Sequence, residues 1–252
     1  MKKIILLLGM TIIIPSHLYA WGKTGHDIAG ELAYHFLDNV TKEKLNAYLG
    51  ATPIEGASTW MDEVRRDHSY DYMKPWHYVD YEASTEYMAN HNENLVNELN
   101  KTITELEHKD NLNADKIKTD LEIVIHLVED MHQPLHVGYP EDKGGNTIKV
   151  NYMGKTQNLH HVWDDGIIKT QDIGYEKCIA VYKTMRPAEV VQLKTGSVEQ
   201  WLKESRSLLP DVYDFKDSII DEAYIDKNTP IIEKQLVVAG IRLAAVLEKV
   251  LK

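Results

Sequence analysis

The sequence predicts an all-α protein, one mostly helical domain carrying a small β-hairpin. Three observations lead there. Apolar residues recur at helical spacing, most clearly as Ile117, Leu121, Val124, Ile125 and Val128, and again as Leu236, Gly240, Leu243, Leu247 and Val250. Period-two alternation is confined to Thr147–Tyr152, followed by Met153, Gly154 and Lys155 as a turn. No linker, internal repeat or low-complexity tract divides the 252 residues, and 43% apolar content with five tryptophans suits one packed core.

The first segment stands apart from that fold. Lys2 and Lys3, an apolar run from Ile4 to Ile14 and a short exit ending on Ala20 follow the order of a secretion signal. Residues 1–20 are therefore expected to be removed, leaving 21–252 as the mature domain, secreted or periplasmic. The apolar run is short for a membrane span and nothing later approaches the required length, so no membrane partner is expected. Cleavage would make Trp21 the N-terminus, and a free amino nitrogen with its own carbonyl oxygen can chelate a metal.

His26 then opens a helix with Ile28, Leu32 and Phe36 on one face. Thr41 reads as the cap of a second helix, which turns Leu45 and Leu49 inward and stops at Gly50. Ser58–Arg66 starts a third, with Asp62 and Arg65 one turn apart. Lys74–Asp80 lacks helical periodicity and reads as an extended, aromatic-rich piece that presents His77 and Asp80. Residues 84–108 carry no clear element, and His91 and His108 read as surface. A central helix is expected from Asn113 to His132, then a glycine-rich loop with the hairpin over 138–158, and a helix bearing His160 and Asp164. Trp201 and Leu202 mark another helix, and Thr229 with Pro230 opens the last.

Charge and cysteine content narrow the chemistry. A formal charge of −11 repels nucleic acid and anionic lipid unless something local reverses the field, as bound divalent cations would. Cys178 is the single cysteine, which excludes an intrachain disulfide, a cysteine-based zinc cluster and a thiol relay; in its apolar surroundings it reads as buried filler.

Chemistry concentrates in His126-Leu-Val-Glu-Asp130-Met-His132-Gln-Pro-Leu-His136. His126 and Asp130 share a helical face, and Pro134 ends the helix so that His136 can turn back towards it. His160 and Asp164 repeat the four-residue spacing. One such pair usually means a core histidine bonded to a carboxylate, but two pairs with a further histidine match the nitrogen and oxygen ligands of zinc.

Six ordered segments then give a resemblance. They are Trp21-Gly22 with His26, Trp60-Met61-Asp62 with Arg65, Trp76-His77-Tyr78-Val79-Asp80, the stretch from His126 to His136, Gly144-Gly145-Asn146, and Asn158-Leu159-His160-His161-Val162-Trp163-Asp164. Together they resemble the zinc-dependent single-strand-specific nucleases of fungi and plants, the S-one/P-one type. The resemblance implies a phospholipase C-like, single-strand-nuclease-like helical fold around a trinuclear zinc cleft. By position, one zinc takes Asp62, His77, His126 and Asp130, and a second takes His136, His160 and Asp164. The third takes the amino nitrogen and carbonyl oxygen of Trp21, with His26 and a shared oxygen of Asp130.

The resemblance also implies a reaction. Single-stranded DNA and RNA would be cut to 5′-mononucleotides through a metal-activated water, with 3′-nucleotides as further substrates. Asp62 would serve as a metal-bound catalytic residue and Arg65 as a phosphate donor, Tyr78 would stack on a base, and Asp80 and Asn146 would contact its edge. His132 and His161 match no ligand position and are expected to support or pack. A monomer is expected. Fungal and plant members usually carry disulfides, which this chain cannot form, and its loop from Gly138 to Asn146 has Tyr139 alone for an aromatic. A zinc phospholipase C is the nearest alternative, disfavoured by Asp164 where glutamate is typical and by the Asp62–Arg65 pair. A non-catalytic exported metal-binding protein would need neither Arg65 nor Tyr78.

Overall fold

Five helices precede the hairpin and set the scaffold: α1 (Lys23–Phe36), α2 (Asn39–Leu49), α3 (Ile54–Val64), α4 (Leu95–Glu107) and α5 (Ala114–Met131). The structure, a computed structural model, describes residues 21–88 and 92–252, so the expected leader and His91 lie outside the described residues. After β1 (Lys149–Tyr152) and β2 (Lys155–Asn158) come α6 (Leu159–His161), a π-helical turn over Val162–Gly166, and α7 (Ile167–Thr170). α8 (Tyr175–Thr184), α9 (Pro187–Leu193), α10 (Val198–Arg206), α11 (Leu209–Val212), β3 (Ile219–Ile220) and α12 (Glu222–Val250) complete the chain. The described residues are mostly helical, as the periodicity predicts.

α5 is the central element. Asn113 caps it by accepting from Lys116 N, and from Asp120 onwards every residue of the helix is buried. α3, α4 and α12 pack around it, while α1 lies between α3 and α12. Gly240 of α12 permits a close approach to α1, because a side chain there would come within 2.7 Å of Leu32 Cβ. Two apolar clusters result. One gathers Leu45, Leu99, Leu121, Val124 and Leu247; the other gathers Trp21, Leu32, Trp163, Ile167 and Leu236.

The hairpin forms as expected. Tyr152 pairs with Lys155 across Met153 and Gly154, both at positive φ (54° and 76°), which is the two-residue turn that suits strand twist. β3 pairs parallel to β1, a two-residue strand too short for a periodic signal.

Several boundaries differ from expectation. Asp38, not Thr41, caps α2: its carboxylate accepts from Thr41 N, and Thr41 itself is buried inside the helix. α3 begins at Ile54, four residues before Ser58. Lys74–His77 is the end of a 3₁₀ run, His68–His77, with extended backbone only from Tyr78; a tight helix of this kind has no 3.6-residue signature. α4 occupies ground read as featureless. α12 starts at Glu222 under an Asp221 cap, with Pro230 inside it rather than opening it. Asn228 and Thr229 bond the carbonyls of Tyr224 and Ile225, which supports the helix as it passes the proline. Cys178 is buried, as expected, and burial pushes its thiol up to about 12.

Candidate metal centre

α5 brings His126 and Asp130 to one point, both fully buried, with His126 Nε2 3.2 Å from Asp130 Oδ2. His77, delivered by the end of the 3₁₀ run, places Nδ1 3.2 Å from the same oxygen and 2.9 Å from His126 Nε2. His26, in the first turn of α1, stacks on His126 at 4.2 Å between ring centroids and sets its Nε2 3.5 Å from Asp130 Oδ1. Beyond Pro134, a 3₁₀ turn returns His136 to the cluster. Its Nε2 lies 3.1 Å from His160 Nε2, which is 3.3 Å from Asp164 Oδ2. Asp164 sits in the π-helical turn, a local widening that is frequent at functional sites.

Main-chain oxygens aim the rings. His126 Nδ1 donates to Ser58 O (2.6 Å), His136 Nδ1 to His77 O (2.7 Å) and His160 Nδ1 to Gly144 O (2.6 Å). Each donation leaves the Nε2 lone pair of that ring facing the cluster. Lone pairs set about 3 Å apart repel unless a proton or a cation lies between them. Three buried atoms at the same place, His26 Nε2, His77 Nε2 and Asp130 Oδ1, have no hydrogen-bond partner among the described residues. Unpaired buried acceptors are costly, and a cation satisfies several at once. The residues fit a metal.

Three groups have ligand atoms close enough to share an ion: His77, His126 and Asp130; His136, His160 and Asp164; and His26, Asp62 and His126. The first two follow the implied sets. Asp62 falls with His26 as well as His126, so it stands at the border of two groups. Trp21 is buried, donates from its indole nitrogen to Glu129 O (3.0 Å), and is followed by Gly22, whose N donates to Asp164 O (2.9 Å). These bonds pin the start of the described chain between the segments that carry Asp130 and Asp164.

The residues expected to face substrate differ in their settings. Arg65 donates to Asp62 Oδ1 (3.2 Å) and is only partly exposed, so the pair is not a loose surface bridge. Tyr78 is 46% exposed, with an aromatic face open to solvent. Asp80 has Oδ1 buried and unpartnered, and burial, reinforced by Asp142, raises its carboxyl to about 7. Asn146 is half-buried and donates to Lys143 O. Gly144 and Gly145 have a structural reason for their identity. Both take positive φ, and a Cβ on Gly144 would lie 2.2 Å from Leu135 O, so only glycine brings this carbonyl to His160. His132 is buried among partners of its own, whereas His161 is exposed and lines a cavity beside Asp62 and Asp164.

A family model described as S1/P1 Nuclease matches residues 21–252. The chain belongs to the S1/P1 nuclease family. Among its relatives, Endonuclease 5 of Arabidopsis thaliana is 28% identical over 96% of this chain and 95% of its own. Nuclease S1 of Aspergillus oryzae is 25% identical over 98% of each, and Endonuclease 2 of Arabidopsis thaliana is 26% identical over 93% of this chain and 91% of its own. As an S1/P1 nuclease the chain is a hydrolase of phosphodiester bonds, and its buried histidine and aspartate groups suit the zinc dependence of that family. Among the described residues no helix is long and apolar enough to cross a membrane.

Electrostatics in this S1/P1 centre show what a metal must displace. Burial opposes charge on His126, yet Asp130 beside it prevails and lifts the imidazole to about 9. Burial raises Asp130 to about 6 and holds Asp164 well above the carboxylate range, while His26, His77 and His136 are pushed well down by burial and neighbouring histidines. Without metal the cluster keeps a proton between His126 and Asp130. Binding a cation releases it, so affinity rises with pH across that range.

Sequence reading missed the residues that hold the ligands. Glu129, fully buried, accepts from Ser58 Oγ (2.8 Å) and faces His26 Nδ1 with Oε2 at 2.5 Å. Ser58 thereby serves two ligands, His126 through its carbonyl and His26 through Glu129. Gly30 makes room for this, since a Cβ there would sit 2.3 Å from Ser58 Oγ. Gln133 donates to Asp164 Oδ1 (2.6 Å) and accepts from Leu135 N (2.6 Å). A signal existed for Glu129: it adjoins Asp130 at the end of the apolar stripe of α5, where a buried carboxylate needs a partner.

Proposed function

We propose that this protein is an exported zinc-dependent endonuclease that hydrolyses single-stranded DNA and RNA to 5′-mononucleotides and removes phosphate from 3′-nucleotides. Three buried histidine–aspartate groups, with the imidazoles of His26, His77 and His126 all within 3.5 Å of the Asp130 carboxylate, carry this reading. Asp62, His77, His126 and Asp130 would hold one zinc and His136, His160 and Asp164 a second. The amino and carbonyl groups of Trp21, with His26 and Asp130, would hold a third. Zinc bound there supplies Lewis acidity, lowering the pKa of water and neutralising charge on phosphoryl oxygens.

The chain's own groups do the rest. Arg65 is anchored on Asp62 and would donate a charge-assisted hydrogen bond to a phosphate, which fixes the phosphorus against the centre. Tyr78 presents an open ring for a base to stack on, which a single strand can supply and a duplex cannot. Asp80 and Asn146 would read the base edge. Asp80 is protonated below about 7, when its carboxyl can donate, and above that it only accepts. Gly144, Ser58 and His77 keep the histidine lone pairs aimed inward through their carbonyls.

The test is zinc content and turnover on single-stranded DNA and RNA for protein beginning at Trp21, against protein with one extra residue before it. The reading expects about three zincs and activity in the first, both reduced in the second. Equal behaviour removes the Trp21 ligand, and zinc without turnover of any nucleic acid removes the enzyme.

A further inference from the structure

Beside the metal centre lies a cavity of about 330 Å³ whose lining includes Asp62, Asp164, Arg66, His161 and Lys169. We propose that it is a subsite for the nucleotide that follows the scissile phosphate in a single-stranded chain. The inference rests on the reading above, in which the preceding base stacks on Tyr78. Asp62 and Asp164 supply one carboxylate from each of two candidate metal groups, so this cavity begins where the scissile phosphate would sit. Tyr78, Asp80 and Asn146 do not line it. A strand whose base occupies the Tyr78 wall has to leave the centre elsewhere, and the cavity is the concave space that adjoins it.

The charges agree with that path. Around Asp80 the charged neighbours are Asp142, Arg206 and Glu141, and the arginine there already donates to the carbonyls of Val137, Gly138 and Tyr81. The cavity is also lined by Glu63 and Asp165; Lys23 is tied to Asp27 and Lys169 to Asp165 (2.6 Å), so the cation left to meet a phosphate is Arg66, which is exposed and makes no ion pair among the described residues. His161 is exposed beside it. Arg66 therefore offers a free planar donor to the next phosphodiester, in a chain whose overall charge would otherwise repel it. Though adjacent in the chain, the two arginines differ in setting, Arg65 half-buried against Asp62 and Arg66 exposed. Arg65 is held on Asp62 at the centre, while Arg66 stands one residue further out on the rim.

A nucleoside 3′-phosphate ends at the scissile phosphate and has nothing to place in the cavity, whereas an oligonucleotide does. The experiment compares kcat/KM on both substrates for the zinc-loaded wild type, Arg66→Ala and Arg66→Lys. Arg66→Ala should lower the oligonucleotide-to-mononucleotide ratio about three- to tenfold, mostly through KM, and Arg66→Lys should restore much of it. Binding of a phosphorothioate single strand should lose about 0.7 from its logarithmic salt slope in Arg66→Ala, the share of one phosphate contact. An unchanged ratio or an unchanged slope overturns the subsite while leaving the nuclease reading intact. Failure of the wild type to turn over either substrate overturns that reading, and the subsite with it.

Discussion

His126 and His132 lie six residues apart at the end of α5, both without solvent exposure, and they belong to opposite kinds of cluster. Around His132 the bonds close. Its Nδ1 donates to Val128 O (2.7 Å), its Nε2 accepts from Arg242 (2.9 Å), and Arg242 also binds Glu204. Ser205 and Gln235 satisfy the carbonyls of Met131 and His132. The atoms left over there, Arg242 Nε and Trp201 Nε1, are donors, which turn a cation away. Around His126 the leftovers are two imidazole nitrogens and a carboxylate oxygen. A buried histidine is a metal ligand when its neighbours leave acceptors unpaired, and a structural one when they do not.

Substitutions can break that contrast. Asp130→Asn removes the shared charged oxygen, and should cut zinc content and lower nuclease activity by more than about a hundredfold, read by metal analysis and turnover. Glu129→Gln touches only the ligand His26, and should weaken zinc binding about ten- to a hundredfold in competition with a chelator, with activity returning as zinc is raised. Arg242→Met should do the reverse. It leaves the buried His132 Nε2 without its donor, while half-exposed Glu204 returns to water, costing about 1–2 kcal/mol in urea denaturation, and leaves zinc content unchanged. Equal zinc loss in Arg242→Met and Asp130→Asn would erase the distinction between the clusters.

Asp80 sharpens the rule at the smallest scale. Its Oδ1 is buried and unpaired like that of Asp130, yet no histidine is paired with it and it joins no candidate metal group. Its carboxyl, raised to about 7 by burial, holds a proton more tightly in the folded than in the unfolded protein. Stability should therefore fall as pH rises from about 4 to 7 and level off above, because the folded state pays for ionising it. Asp80→Asn should flatten that part of the profile, measured by denaturation at pH 5 and pH 8; an unchanged slope assigns it to other groups.

Much of this was legible because it repeats. The stripe from Ile117 to Val128 and that from Leu236 to Val250 gave α5 and α12, and paired spacings gave His126 with Asp130 and His160 with Asp164. What escaped reading has no period. The 3₁₀ run that delivers His77 lacks one, β3 is two residues long, and α12 runs through a proline that ordinarily marks a helix start. The supports Ser58, Glu129 and Gln133 escaped for another reason. They meet His26, His126 and Asp164 across sequence separations that no local pattern reports.

Three of the candidate ligand histidines are aimed by the carbonyls of Ser58, His77 and Gly144, and every amino acid has a carbonyl. The aiming of those rings is therefore inherited through the path of the backbone rather than through side-chain identity. Drift at such positions is silent to the metal so long as the path is kept, which is compatible with full-length relatives that share about a quarter of their residues with this chain. Gly144 is the exception that the geometry requires, since there the path itself forbids a side chain.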